Sequence, residues 1–294
     1  MKPIEQCTLG ILGLGLMGGA IAMALRNRGI LPAGGADGGR ILACDTNEEV
    51  LAAAQTAGVI DRGFADAETM LKECDLVFLC LNPSTLLCFM EDHMAAFKPG
   101  TLITDIAGIK GSISAAMEKN LRDDLDFIPG HPMAGSERGG FFNAERCSFC
   151  GKNYILTPLK RNKPENLKYL QALIHRLGFG RITCIDAEEH DRKIAFTSQL
   201  CHVIAAALID CEADTAITRF GGGSFEDLTR IAMLNVPMWA ELFRENSAEL
   251  LRRIEQFEGS LDALKRLIAE GPPEELEDRL ARVRDRRMAM RQKS

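Results

Sequence analysis

Apolar and polar positions along the chain fall into two regimes. Through the first half, short apolar or β-branched runs alternate with stretches of helical periodicity. Residues 8–12, 40–44, 76–81, 101–104, 126–128, 153–156 and 181–185 read as strands. The run 76–81 is almost uninterrupted in its apolarity, as a central parallel strand covered on both faces requires. Helices are predicted over 17–28 and 47–56, and another opens at Pro83 and Ser84. This alternation predicts a doubly wound parallel α/β sheet.

After Asp186 the strand signals stop. Residues 187–213 have helical character throughout, followed by helical patterns over 225–233, 237–243 and 245–269. The break Gly271-Pro272-Pro273 precedes a last helix that ends in a basic stretch and reads as a solvated surface helix. The expected organisation is an α/β domain over 1–186 and an all-α domain over 187–294. The apolar helix opening the second domain must bury its stripe, and a partner subunit is the natural cover.

The bulk numbers narrow the function classes. At 294 residues, with 46% hydrophobic and 26% charged residues, the chain can bury a sizeable core. A formal charge of −6 argues against nucleic acid as a partner, since non-specific binding needs a basic surface. No stretch approaches the ~18 consecutive apolar residues of a membrane span, and the start Met1-Lys2-Pro3-Ile4-Glu5-Gln6 shows no signal-peptide pattern, so the expected location is cytoplasmic. Most of the ten cysteines sit in apolar runs, and Cys147 and Cys150 form the only CxxC with no metal-spaced second pair, so no metal is expected.

Gly13-Leu14-Gly15-Leu16-Met17-Gly18 is a GxGxxG lying between the first strand and the first helix. The first glycine permits the tight turn, the second lets a pyrophosphate approach the backbone, and the third lets helix and strand pack closely. N–H groups at the start of the helix then face the phosphates. Asp45 closes the second strand, where a carboxylate accepts from ribose hydroxyls and repels a 2′-phosphate. NAD is therefore expected over NADP. The spacing to Asp45 exceeds the usual ~20 residues, which the Gly-rich insertion at 32–39 explains. The competing reading of Asp45 is a cap for the helix after it.

Two segments concentrate polar groups. His131, between Gly130 and Pro132, follows a strand, and an imidazole there can serve as a general base near neutral pH. His190-Asp191 and then Ser198-Gln199-Leu200-Cys201-His202 lie on the first helix of the second domain, with His202 one turn after Ser198 and Asp191 three turns earlier at a similar azimuth. This stripe reads equally as part of a site or as a polar interdomain or subunit contact.

GHPMAGSE at 130–137, NYILTP at 153–158, HD at 190–191, SQLCH at 198–202, GGGSFEDLTRIA at 221–232 and PMW at 237–239 together resemble prephenate dehydrogenase, in that family's order and from about Leu9 to Ile268. The resemblance implies a Rossmann-type nucleotide domain with a helical substrate and dimerisation domain, acting as a homodimer. It implies NAD-dependent oxidative decarboxylation of prephenate to 4-hydroxyphenylpyruvate in tyrosine biosynthesis, with arogenate as the alternative substrate. His131 would take the proton of the 4-hydroxyl, and Arg230 would bind a substrate carboxylate through paired hydrogen bonds. His202, Asp191, Ser136, Glu137, Gln199 and Trp239 match positions at or around the substrate, and Gly13, Gly15, Leu16, Met17, Gly18 and Asp45 those at the dinucleotide. Trp239 reads equally as core packing.

Two departures from the family pattern are informative. Gly108 stands where many members carry serine in a DxGSxK-like stretch, leaving that hydroxyl's role dispensable or filled by Ser136 or water. Gln199 replaces the first histidine of SHLPH and cannot titrate near neutrality. A β-hydroxyacid dehydrogenase shares the glycine loop but would place a catalytic lysine on the long helix, where this chain has Lys193 near the start. A protein that binds NAD without catalysis is the rival from another class.

Overall fold

The computed structural model describes every residue except 35–37, 137 and 292–294. Nine strands are described: β1 (Thr8–Leu12), β2 (Arg40–Cys44), β3 (Arg62–Phe64), β4 (Leu76–Leu79), β5 (Leu102–Asp105), β6 (Asp126–Ile128), β7 (Gly130–Pro132), β8 (Asn153–Leu156) and β9 (Arg181–Cys184). The helices of the first half are α1 (Leu16–Asn27), α2 (Glu48–Thr56), α3 (Ala67–Leu71), α4 (Pro83–His93), α5 (Gly111–Asn120) and α6 (Pro164–Arg176). Then come α7 (Ala187–Ile194), α8 (Leu200–Asp210), α9 (Gly223–Thr229), α10 (Val236–Glu245), α11 (Ser247–Glu270) and α12 (Pro273–Arg291). The residues form two compact units, Met1–Asn246 and Ser247–Ser294, the second built of α11 and α12.

Six strands form a parallel sheet in the order β3-β2-β1-β4-β5-β6. The order reverses between β1 and β4, and such a switch point opens a crevice at the carboxyl ends of the strands. Leu76, Val77, Phe78 and Leu79 of β4 are all within 1% of complete burial, so the apolar run is the central strand its sequence predicts. The segments 153–156 and 181–184 are strands, but they do not extend the doubly wound sheet. They pair in parallel with each other, and β8 pairs antiparallel with β7, making a separate three-stranded sheet. β7 carries His131 and lies in a segment whose Gly and Pro residues read as a loop.

Side-chain caps set several helix starts. Asn47 accepts from the N–H groups of Glu49 and Val50 at the start of α2, and Asp186 accepts from Glu189 N–H at α7. Between α7 and α8 the helix widens into a π segment, Ala195–Gln199. The run Ala187–Asp210 is, by length and average composition alone, apolar enough to cross a membrane, although it holds no unbroken apolar run of the length looked for in the sequence. Averaged hydropathy tolerates the isolated Ser198, Gln199 and His202 that interrupt a count of consecutive apolar residues. Leu208 and Ile209 on this run, together with Phe220 and Val236, are exposed.

Candidate active site

Each glycine of the nucleotide loop does a different job in the structure. Gly13 has φ +90°, and a Cβ there would stand 2.6 Å from the Cys80 carbonyl oxygen. A Cβ on Gly18 would collide with the Gly13 carbonyl oxygen, so the start of α1 can lie on the turn only without a side chain. Gly15 meets nothing within 4 Å, so internal packing does not demand glycine there. Its bare backbone, at the uncapped N-terminus of α1, leaves the close approach a pyrophosphate needs. Leu16 and Met17 form the first turn behind it.

Asp45 stands at the end of β2. Its Oδ2 accepts from Leu14 N–H at 2.6 Å and its Oδ1 from Asn47 N–H at 2.8 Å. The cap of α2 is Asn47, so Asp45 serves to brace the glycine loop through Leu14. Two accepted bonds leave lone pairs on the carboxylate for ribose hydroxyls.

At the same carboxyl edge of the sheet, Asp105 closes β5 and Lys110 follows in the next loop; both are fully buried and joined Nζ to Oδ2 at 2.5 Å. The same Asp105 oxygen accepts from Ala107 N–H at 2.9 Å, and its Oδ1 accepts from Gly130 N–H at 3.1 Å. The carboxylate thereby fixes the start of β7 and the residue before His131. Burial holds the Lys110 ammonium below its ordinary value, against the pull of Asp105.

His131 Nδ1 lies 2.9 Å from His190 Nε2, and His190 Nδ1 lies 2.7 Å from Asp191 Oδ1. Asp191 also accepts from the N–H groups of Lys110 (2.8 Å) and Gly111 (2.7 Å), clasping the start of α5. His131 is partly exposed, whereas His190 is fully buried. Burial, then the neighbouring His190 and Lys110, pushes the His131 imidazole well below its ordinary value. Burial likewise lowers His190, although its bond to Asp191 opposes this.

A second group of side chains gathers around α10. The His202 ring stacks on Trp239 with centroids 3.6 Å apart, and His202 Nδ1 is 2.9 Å from the Ser198 carbonyl oxygen. Burial lowers the His202 imidazole, and the exposed Arg230 close by adds to the effect. Glu241 of α10 accepts from Ser84 N–H at 2.6 Å, at the start of α4 and so at the carboxyl end of β4. Leu242 packs over Gly108, where an added Cβ would be 3.3 Å from a Leu242 methyl and 4.0 Å from His131 Nε2. Helix α10 thus bridges the Arg230, His202 and Trp239 group to the His131 group.

A pair of models describing the prephenate dehydrogenase nucleotide-binding and dimerization domains matches residues 21–183 and 186–282. A cyclohexadienyl dehydrogenase of Zymomonas mobilis is 30% identical over 267 residues, which are 89% of this chain and 88% of that protein. The prephenate dehydrogenase of A. aeolicus, solved with hydroxyphenyl propionate and NAD+, superposes with a TM-score of 0.85 at 30% identity, covering 98% of this chain and 100% of that one. The arogenate dehydrogenase of Synechocystis gives a TM-score of 0.77 at 25% identity over 96% and 99%. The chain belongs to the prephenate dehydrogenase family. Residues 21–183 are its nucleotide-binding domain and 186–282 its dimerization domain.

Within that family frame, not every residue expected at the substrate faces open space. Asp191 and His202 do not share a stripe, because the π segment between them shifts the helical register. Asp191 turns to α5 and His190, and His202 turns to Trp239. Gln199 is 1% exposed, donates to the Leu242 carbonyl oxygen at 3.0 Å and accepts from Asn246 at 2.8 Å, so it braces α10. Ser136 is exposed and accepts from Arg138 N–H, while Glu137 lies outside the described residues. The β-hydroxyacid dehydrogenase reading loses its lysine, because Lys193 is 60% exposed and faces Glu189. Sequence reasoning missed Asp105, Lys110 and the part played by His190. The signal was an acidic and a basic residue five apart after a strand, which reads as ordinary loop chemistry until burial is known.

The downward shifts set a pH signature. His131, His190 and His202 stay neutral as pH falls through the ordinary imidazole value of about 6.5. The unfolded chain binds these protons first, so the native state loses stability as pH drops below about 6.5 toward the lowered values. Histidine ring NMR and thermal unfolding between pH 7.5 and 5 check this. Protonation of all three rings near 6.5 with a flat melting temperature would contradict it.

Proposed function

We propose that the chain is an NAD-dependent dehydrogenase that oxidises and decarboxylates prephenate to 4-hydroxyphenylpyruvate, working as a cytoplasmic homodimer in tyrosine formation. Arogenate is the second reading, favoured by the similarity to the Synechocystis enzyme. The observation that carries the proposal is His131: a neutral imidazole at the carboxyl edge of the sheet, held through Nδ1, with Nε2 beside Gly108. In this reading residues 1–186 serve the dinucleotide, and 187–294 the substrate and the dimer contact. The dimer rests on the dimerization match and on exposed Leu208, Ile209, Phe220 and Val236.

The residues present fit a dinucleotide. Gly13, Gly15 and Gly18 with the first turn of α1 would hold the pyrophosphate, and Asp45 the adenosine ribose. NAD, when bound, supplies the acceptor for the hydride lost from C4.

The remaining chemistry falls to this chain's side chains. A hydroxyl can become a carbonyl only if its proton has an acceptor, and His131 Nε2 is that acceptor. When the ring carboxylate leaves as CO₂, its bonding pair moves through the ring, which becomes aromatic, and arrives on the same oxygen. The proton on His131 then returns to that oxygen as the phenol forms. Prephenate and NAD+ give 4-hydroxyphenylpyruvate, CO₂ and NADH with no proton left over, so the partly enclosed base needs no exit path for one. Arg230 offers a guanidinium to a substrate carboxylate, and His202 on Trp239 forms the wall beside it. Asp191 and Gln199 position these groups instead of touching substrate.

The decisive experiment incubates the protein with prephenate or arogenate, each with NAD or NADP, and follows reduced nicotinamide by absorbance. Oxidation of neither acid would leave an NAD-binding protein without this activity. His131→Asn is expected to lower kcat by roughly 10²–10⁴-fold with dinucleotide affinity unchanged, and wild-type turnover would remove the imidazole from the chemistry. Asp45→Ala is expected to reduce the preference for NAD over NADP by about tenfold or more, the size of a lost bond to a charged group. An unaltered ratio of the two dissociation constants would confine Asp45 to bracing the loop.

A further inference from the structure

The three-membered array His131, His190 and Asp191 has a consequence fixed by hydrogen-bond polarity. A carboxylate oxygen can only accept, so the atom 2.7 Å from Asp191 Oδ1, His190 Nδ1, must carry a proton. His190 is fully buried and neutral, so its single ring proton is spent there and its Nε2 is a bare lone pair. That lone pair, 2.9 Å from His131 Nδ1, demands a proton on Nδ1. A neutral His131 then has its own lone pair on Nε2, the side next to Gly108. Asp191 is itself held as an acceptor by the N–H groups of Lys110 and Gly111, which can only donate. The polarity of the whole chain therefore originates in the start of α5.

We propose that His190 and Asp191 are positioning residues for the reaction. They set the tautomer of His131 so that its basic nitrogen faces the substrate, and they stabilise the imidazolium while it holds the borrowed proton. The proposal rests on His131 being the base in the reading above. Without His190, either His131 nitrogen could carry the proton, and only one of the two neutral tautomers can accept from a hydroxyl. Helix α7, in the segment matched as dimerization domain, thus supplies the orienting groups, and β7, in the nucleotide-binding domain, supplies the base. The two parts must be docked for the base to be correctly protonated.

The test uses the full chain with two substitutions at one site. His190→Phe keeps a buried ring but offers no acceptor, and His190→Gln keeps an acceptor oxygen without a titratable ring. His190→Phe is expected to lower kcat by about 10²–10³-fold with KM and dinucleotide affinity little changed, and His190→Gln to recover at least tenfold of that loss. Nitrogen-15 correlation spectra of the histidine rings at pH 7.5 should show the proton of His131 on Nδ1 in the wild type and in His190→Gln. A mixture of tautomers is expected in His190→Phe. Wild-type kcat in a folded His190→Phe protein, or a His131 proton on Nε2 in the wild type, would overturn the proposal. The spectra need no substrate, so they judge the array even if the phenylalanine variant does not fold. They also judge it if the assay shows that prephenate is not turned over.

Discussion

The site depends on one buried carboxylate. Asp105 is fully removed from water, and a lone ionised carboxylate cannot stay there without compensation. It is met by the Lys110 ammonium and by two backbone N–H groups, of Ala107 and Gly130. Removing one partner of such a pair typically costs about 3–5 kcal/mol, so the loop after β5 and the start of β7 have little freedom. His131 is the next residue after Gly130. A pair that contributes little net stability, once its desolvation is counted, thereby fixes where the His131 imidazole stands.

A second carboxylate joins this framework to the helical segment. Asp191 clasps α5 through Lys110 and Gly111, and Asn246 donates to the Asp191 carbonyl oxygen at 2.9 Å while also holding Gln199. The π segment Ala195–Gln199 then rotates the rest of the helix. Without that extra residue, His202 would follow the azimuth of Asp191. With it, one continuous helix serves two neighbours: α7 orients His131, and α8 places His202 against Trp239. Widened turns of this kind recur at functional sites because they redirect side chains without ending the helix.

Much of this was legible in the residues. The alternation of apolar runs and helical periods locates β1, β2, β4 and β6 and the glycine loop, because each obeys a local rule of burial or turn geometry. The short edge strand β3, Arg62–Phe64, escaped, since three residues carry too little periodicity. So did β7, whose Gly-His-Pro composition reads as a turn and whose pairing with β8 is non-local. At the site, the types of residue were readable but not their partners. His190-Asp191 stands out as polar density, yet nothing local shows that His190 points across to residue 131. Gln199 reads as a substrate contact because it stands at a motif position that the family resemblance puts at the substrate. Only the fold reveals that α10 consumes its amide.

Gly108 ties the departures from the family pattern together. A side chain there would press on the Leu242 methyls at 3.3–3.4 Å, so a serine could enter only if the Leu242 side chain gave way by a few tenths of an ångström. Glu241, one residue earlier, is tied to Ser84 N–H, and Gln199 holds the Leu242 carbonyl, so α10 is restrained on both sides of the contact. The glycine and the close approach of α10 are therefore a matched pair. Residue 108 offers no hydroxyl to His131 Nε2, which leaves that nitrogen without a partner from this position. The loss also removes one means of orienting the imidazole from the cleft side. Orientation then rests on the opposite nitrogen, where His190 and Asp191 stand.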